Sequence, residues 1–199
     1  MFDTLILHGT VVDGTGRTPA YRADIGVQDG RIAAIGLLDG SDARQSIDAR
    51  GLTVAPGFID VHLHSEVALL QPDNPTGRYG ALRQGVTTQL LAPDGFGWAH
   101  LDEAARQEMW QYTLFSTGNA EIGAPWPHAA DYLARFPGNT PANVVPQVPH
   151  LPIRQAVMDW DAREATADEI ARMRDLVADW LDAGAVAFNT GLDYQPAAY

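Results

Sequence analysis

The stretch "PGFIDVHLHSE", Pro56 to Glu66, decides how the chain is read. An apolar run of Phe58, Ile59 and Val61 follows a Pro-Gly pair and ends in two histidines separated by one leucine. A short apolar run bounded by turn residues predicts a buried strand. Alternate side chains of a strand share a face. Asp60, His62 and His64 are therefore expected to point one way, with Phe58 in phase, while Ile59, Val61 and Leu63 face covering helices. Two imidazoles at the C-terminal end of a strand can reach one cation, and neutral imidazole nitrogen suits zinc, iron or manganese. A His-x-His pair alone is common. This one ends an apolar strand and is followed by the carboxylate of Glu66. In parallel α/β barrels, functional groups collect at the C-terminal ends of strands.

Upstream, the pattern is β throughout. Leu5 to Val12 runs into the turn signal Asp13-Gly14. In "DIGVQDGRIAAIG" the Asp29-Gly30 pair sits between alternating runs, which predicts a hairpin because a type I′ turn needs positive φ at both central residues. Ser46 to Val54 can add a strand. Met1 to about Thr53 is expected to be a small antiparallel β unit.

Downstream, strand-like and helical runs alternate, which predicts a parallel sheet with helical crossovers. Strands are expected near Ile59, Leu90, Val145 and Val186. Thr76 to Gly85 suits a short helix, and Leu101, Ala105, Met109, Tyr112 and Phe115 recur at helical spacing. Pro127 can open a helix with Ala129, Leu133 and Phe136 inward. Thr166 to Ala183 carries the strongest helical pattern. Thr166 and Glu169 make a capping box, Ile170, Met173, Val177, Trp180 and Leu181 form the stripe, and Gly184 ends it. Ser116 to Pro127 is the least regular stretch and is expected to be an active-site loop.

The 199 residues carry a formal charge of -12, with 46% hydrophobic residues and no cysteine. Such a chain repels nucleic-acid phosphates and anionic membrane surfaces, so neither is an expected partner. Without cysteine there is no disulfide, thiolate metal site or cysteine nucleophile. No apolar stretch approaches the about 18 residues of a spanning helix, and "MFDTLILHGTVVDG" has no basic start of a signal peptide. A cytoplasmic protein is expected.

"APGFIDVHLHSE" resembles the first-strand signature of the amidohydrolase superfamily, and "DGRIAAIG" resembles part of that superfamily's small β-sandwich. Within it, "LRQGVTTQLLAPDG", "NVVPQVPHLPIRQAVM", "WDAREATADEIARMRDLV" and "DAGAVAFNTGLDYQPAAY" resemble the N-acyl-D-amino-acid deacylase (D-aminoacylase) group. The resemblance implies residues 1–53 as a β-sandwich portion and 54–199 as the first half, about four βα units, of a (β/α)₈ barrel. It also implies one or two divalent metals, usually zinc, and hydrolysis of the amide bond of a small-molecule N-acyl-D-amino acid.

On that resemblance His62 and His64 match the first-strand metal ligands. Asp94 stands where some members carry a metal-binding cysteine; its alternative reading is the turn residue of Pro-Asp-Gly. His150 either lines the pocket or is structural. Tyr194 either donates to the substrate or packs. His8, His100 and His128 read as ordinary surface or loop residues. The tryptophans read as mostly core, although Trp98 and Trp126 can shape an acyl pocket. The family's further metal-binding histidines and its catalytic aspartate are expected beyond Tyr199. The chain is therefore expected to be the N-terminal part of a longer deacylase, or one chain of a split one. A cyclic-amide hydrolase of the dihydropyrimidinase or hydantoinase type is the rival enzyme, disfavoured by the absence of lysine from "AVAFNTG". A non-catalytic scaffold is the rival from another class.

Overall fold

The computed structural model describes residues 1–38, 42–118, 123 and 125–198. Two compact units divide the chain at Gly57 and Phe58.

The first unit is a sheet of β1 (Phe2–Val11), β2 (Tyr21–Gln28), β3 (Arg31–Gly36), β4 (Ala43–Asp48) and β5 (Thr53–Val54). The order is β3-β2-β1-β4, with β5 also beside β1. Asp29 and Gly30 both take positive φ, 51° and 70°, so the hairpin between β2 and β3 is the turn that the Asp-Gly pair predicts. The expectation of a wholly antiparallel unit is corrected: β4 and β5 run parallel to β1. The β2–β3 hairpin occupies one edge of β1, and the chain crosses to the other edge before pairing again, which reverses the sense. Val11, Ala23 and Ile25 form the buried cluster. His8 interrupts β1 with φ of 62°, and its N–H donates to the buried Asp24 carboxylate at 2.7 Å, so the irregularity leaves no orphan donor.

The second unit holds, in chain order, β6 (Phe58–Asp60), α1 (Glu66–Leu69), α2 (Pro75–Tyr79), β7 (Val86–Leu90), α3 (Glu103–Tyr112), α4 (Leu114–Thr117), α5 (Ala129–Leu133), β8 (Asn143–Val145), β9 (Val148–Pro149), α6 (His150–Met158), α7 (Ala167–Asp182) and β10 (Phe188–Asn189). β6, β7 and β8 pair in parallel in that order, and β9 pairs in parallel with β10. The strand expected around Val145 is split because Pro146 has no N–H for a ladder. Strands and helices thus form a mixed α/β unit. Its core joins Leu91, Phe96, Trp98, Met109, Leu151 and Trp180.

Two apolar faces depart from expectation. Ile59 and Val61, expected under helices, are exposed. On α7, Trp180 is buried and Met173, Leu176 and Val177 pack beside it, whereas Ile170 and Leu181 are exposed. The buried stripe is narrower than the sequence suggests because only one side of α7 meets the core. The α7 start is as expected: Thr166 Oγ1 accepts from Glu169 N–H at 3.3 Å, and the Glu169 carboxylate accepts from Thr166 N–H at 2.8 Å. Thr166→Ala removes one of these bonds and is expected to lower stability by about 1 kcal/mol in denaturant unfolding. Among the described residues, no helix is long and apolar enough to cross a membrane. The expected Ser116–Pro127 loop falls partly on residues 119–122 and 124, which lie outside the described residues.

Candidate metal centre

β6 ends at Asp60, four residues before His64, where the alternation of the sequence would carry it. His62 and His64 lie on the turn that leads into α1. The Asp60 carboxylate accepts the His62 N–H at 3.0 Å, and Ser65 N–H donates to Leu63 O at 3.0 Å. The backbone therefore holds both imidazoles without a ladder.

Asp94 arrives from the loop after β7, on a single 3₁₀ turn, Pro93–Gly95. Ala92, Asp94 and Gly95 all take positive φ, at 63°, 56° and 78°. Ala92 and Asp94, unlike the glycine, are strained in that conformation, and the surroundings must offset the cost. Ala92 N–H donates to the buried Glu66 carboxylate, which binds the loop to α1. Burial pushes the Glu66 carboxyl up to about 7, and the bond from Ala92 opposes that rise. Gly95 has no room for a side chain, since a Cβ there would lie 2.9 Å from each of Asn189 O, Leu151 Cδ1 and Thr190 Cα. Gly191 is as tight: its Cβ would lie 2.6 Å from Tyr194 Cδ2 and 2.8 Å from Asp94 O.

The result is a three-sided cluster. His62 Nε2 and His64 Nε2 stand 3.4 Å and 3.2 Å from Asp94 Oδ2. One ligand atom from each of the three lies within 4.8 Å of the others, and among the described residues this is the only such group of three. Burial pushes the His64 imidazole pKa down, and the nearby Asp94 carboxylate offsets part of that. A ring left neutral offers nitrogen lone pairs. Two ligands about 2.0–2.1 Å from one tetrahedral ion stand roughly 3.3–3.4 Å apart, so the spacing of these donors suits a zinc-class cation.

Polar side chains extend from the strand ends. Ser65 Oγ donates to Gln89 Oε1 at 2.5 Å, Gln147 Nε2 donates to Leu91 O at 3.0 Å, and Asn189 Nδ2 reaches Gln147 Oε1 at 3.4 Å. These amides join β7, β9 and β10, and sequence reasoning passed over them. The signal was a polar residue near the end of each apolar run. Aromatic rings gather beside the cluster: His64 lies 5.8 Å from Phe96 and 6.4 Å from Phe115, and Phe96 lies 5.1 Å from Tyr194. Phe115, which recurs at helical spacing with Leu101, Ala105, Met109 and Tyr112, is 68% exposed here.

Of the other sequence candidates, Tyr194 packs on Gly191, which also touches Asp94, and so stands near the cluster. His150 does not join it. Its Nδ1 lies 2.8 Å from Thr190 Oγ1, one residue before Gly191, and burial pushes its pKa down. Trp98 and Trp126 belong to the core and together line a small cavity with Glu66, Val67, Leu70, Tyr132 and Arg135. His100 and His128, read as ordinary, both meet Asp179.

Over 99% of its length the chain is 40% identical to a D-aminoacylase of Alcaligenes xylosoxydans xylosoxydans, of which it covers 39%. A solved D-aminoacylase described as defining a novel subset of amidohydrolases matches 99% of the chain with TM-score 0.80 at 36% identity, over 40% of its own length. Over nearly its whole length the chain is similar to the D-aminoacylase group of the amidohydrolases. A second member, the N-acyl-D-glutamate deacylase of Bordetella bronchiseptica solved with zinc and a phosphonate inhibitor, matches 98% of this chain and 40% of its own with TM-score 0.81 at 37% identity. The chain thus spans about two-fifths of the length of these group members. No protein-family model matches it.

Proposed function

We propose that the protein hydrolyses the amide bond of N-acyl-D-amino acids, giving a carboxylate and a D-amino acid, and that His62, His64 and Asp94 hold one or two divalent metal ions, zinc first among them. The observation that carries this reading is the meeting of two imidazole nitrogens and one carboxylate oxygen from separate loops at 3.2 Å and 3.4 Å. A divalent ion in such a set polarises a carbonyl and lowers the pKa of bound water from about 15.7 toward about 7.

The chain's own residues do the holding and shaping. His62 and His64 present nitrogen donors. Asp94 supplies the harder oxygen, and Glu66, Gly95 and Gly191 keep it in place. Tyr194 is proposed to donate to the substrate's carboxylate or carbonyl, and His150 to line the pocket through Thr190. Phe96, which is buried, makes one apolar wall beside the cluster, and the exposed Phe115 ring packs against its edge.

In the same reading, residues 1–53 are part of a β-sandwich and 54–199 the first half of a (β/α)₈ barrel, in a cytoplasmic protein. The parallel pairing of β6, β7 and β8 and the placing of the cluster after strand ends support this. The other half comes from further sequence of the same protein or from a second chain. Exposed Ile59, Val61 and Phe188 on β6, β10 and their flanks are apolar surface suited to that packing.

Metal content, with turnover of N-acetyl-D-amino acids, their L-isomers and dihydrouracil, tests the proposal. The whole protein is expected to carry stoichiometric metal, to prefer D-substrates and to lose activity on chelation until zinc is returned. Unchanged turnover after exhaustive chelation would refute it. Preference for dihydrouracil would favour the cyclic-amide hydrolase, and absence of stoichiometric metal the scaffold.

A further inference from the structure

We propose a second divalent-cation site, built from His100, Asp179 and His128, which ties α7 to the two segments that precede α3 and α5. It is made of residues outside the His62–His64–Asp94 cluster and does not depend on the hydrolase reading.

His100 takes a strained backbone for a non-glycine residue, with φ of 71°, and its side chain is only 3% exposed. Its Nδ1 lies 3.0 Å from the Pro127 carbonyl. A carbonyl only accepts, so Nδ1 carries the proton and Nε2 of the neutral ring carries a lone pair. Nε2 is buried with no hydrogen-bond partner, although Asp179 Oδ2 stands 3.3 Å away. A lone pair and a carboxylate oxygen at that distance repel unless positive charge lies between them.

A proton on Nε2 is poorly suited to that place. No hydrogen bond joins Nε2 to Asp179, and burial pushes the His100 pKa down by more than the Pro127 carbonyl and the Asp179 charge raise it. A shared cation suits it better, because 3.3 Å is close to the separation of two ligands at about 2.0–2.1 Å from one tetrahedral ion. The Nδ1–H bond to a backbone carbonyl is also how metal-bound histidines are usually oriented. Ala129 N–H donates to Asp179 Oδ2 at 2.8 Å and orients the carboxylate. His128 Nδ1 stands 3.4 Å from the other oxygen, Asp179 Oδ1, and the three ligand atoms do not converge as those of the His62 cluster do, so His128 becomes a third donor only by turning its ring, which is 67% exposed.

The test is a titration of the protein carrying His62→Ala and His64→Ala with Co²⁺, read by visible absorption and by thermal melting. One Co²⁺ equivalent is expected to survive in that background and to raise Tm. Asp179→Asn keeps an acceptor for Ala129 N–H and is expected to lower the remaining affinity at least about 100-fold and to abolish the Tm rise. His128→Gln, at an exposed position, is expected to lower it roughly 10-fold. If no equivalent survives, or if the surviving one is indifferent to Asp179→Asn, the proposal is wrong and His100 and Asp179 form an ion pair only.

Discussion

Replacing His62 or His64 by alanine is expected to remove the metal and the amidase activity together. Each substitution takes one of two nitrogen donors from a cluster that has a single carboxylate besides. Losing even an orienting partner of a ligand costs about 10–100-fold in metal affinity or activity, so losing a ligand itself is expected to cost more. The two variants should differ in stability. His64 is the more enclosed, with the rings of Phe96 and Phe115 at 5.8 Å and 6.4 Å, so its removal leaves a void. His62 is mostly exposed, and His62→Ala is expected to melt close to the wild type. Elemental analysis, turnover and thermal melting of the two proteins check all three statements. A variant that retained both metal and turnover would overturn the ligand assignment.

Gly95→Ala is expected to be the most damaging of the conservative changes. The position takes φ of 78°, where an L-residue pays about 1 kcal/mol. A Cβ there would also lie 2.9 Å from three atoms of Leu151, Asn189 and Thr190, and overpacking of this kind costs about 1–3 kcal/mol. The expected loss is roughly 2–4 kcal/mol in denaturant unfolding, with weaker metal binding because Asp94 is the preceding residue. Gly191→Ala separates the two effects. Its φ is not positive, yet its Cβ would press on Asp94 O at 2.8 Å. It should weaken metal binding with a smaller loss of stability. If Gly95→Ala unfolded like the wild type, the account of how this loop positions Asp94 would fail.

What was legible beforehand was local. Asp29-Gly30 announced its turn because two adjacent positive φ values are a property of those two residues. Thr166 and Glu169 announced the start of α7 because a capping box closes within one turn. His62 and His64 were visible as a pair because one leucine separates them. Asp94 was harder: its own sequence, Pro-Asp-Gly, fits a turn as well as a ligand, and only its 3.2 Å approach to His64 distinguishes the readings. The parallel pairing of β4 with β1 was missed for a related reason, since strand direction depends on which edge is free and not on the strand's residues.

The sequence by itself therefore determined the turns, the helix cap, the alternation of strands and helices, and the chemical types available for a metal. Each rests on interactions between residues a few positions apart. Tertiary structure alone decided which of those groups meet. It ended β6 before the histidines, brought Asp94 to them from 30 residues beyond His64 on a strained turn, and set His100 and His128 against Asp179, which lies 51 residues beyond His128. Such meetings follow from packing a whole unit around one core, and the stabilisation that holds them is spread over contacts far apart in the chain.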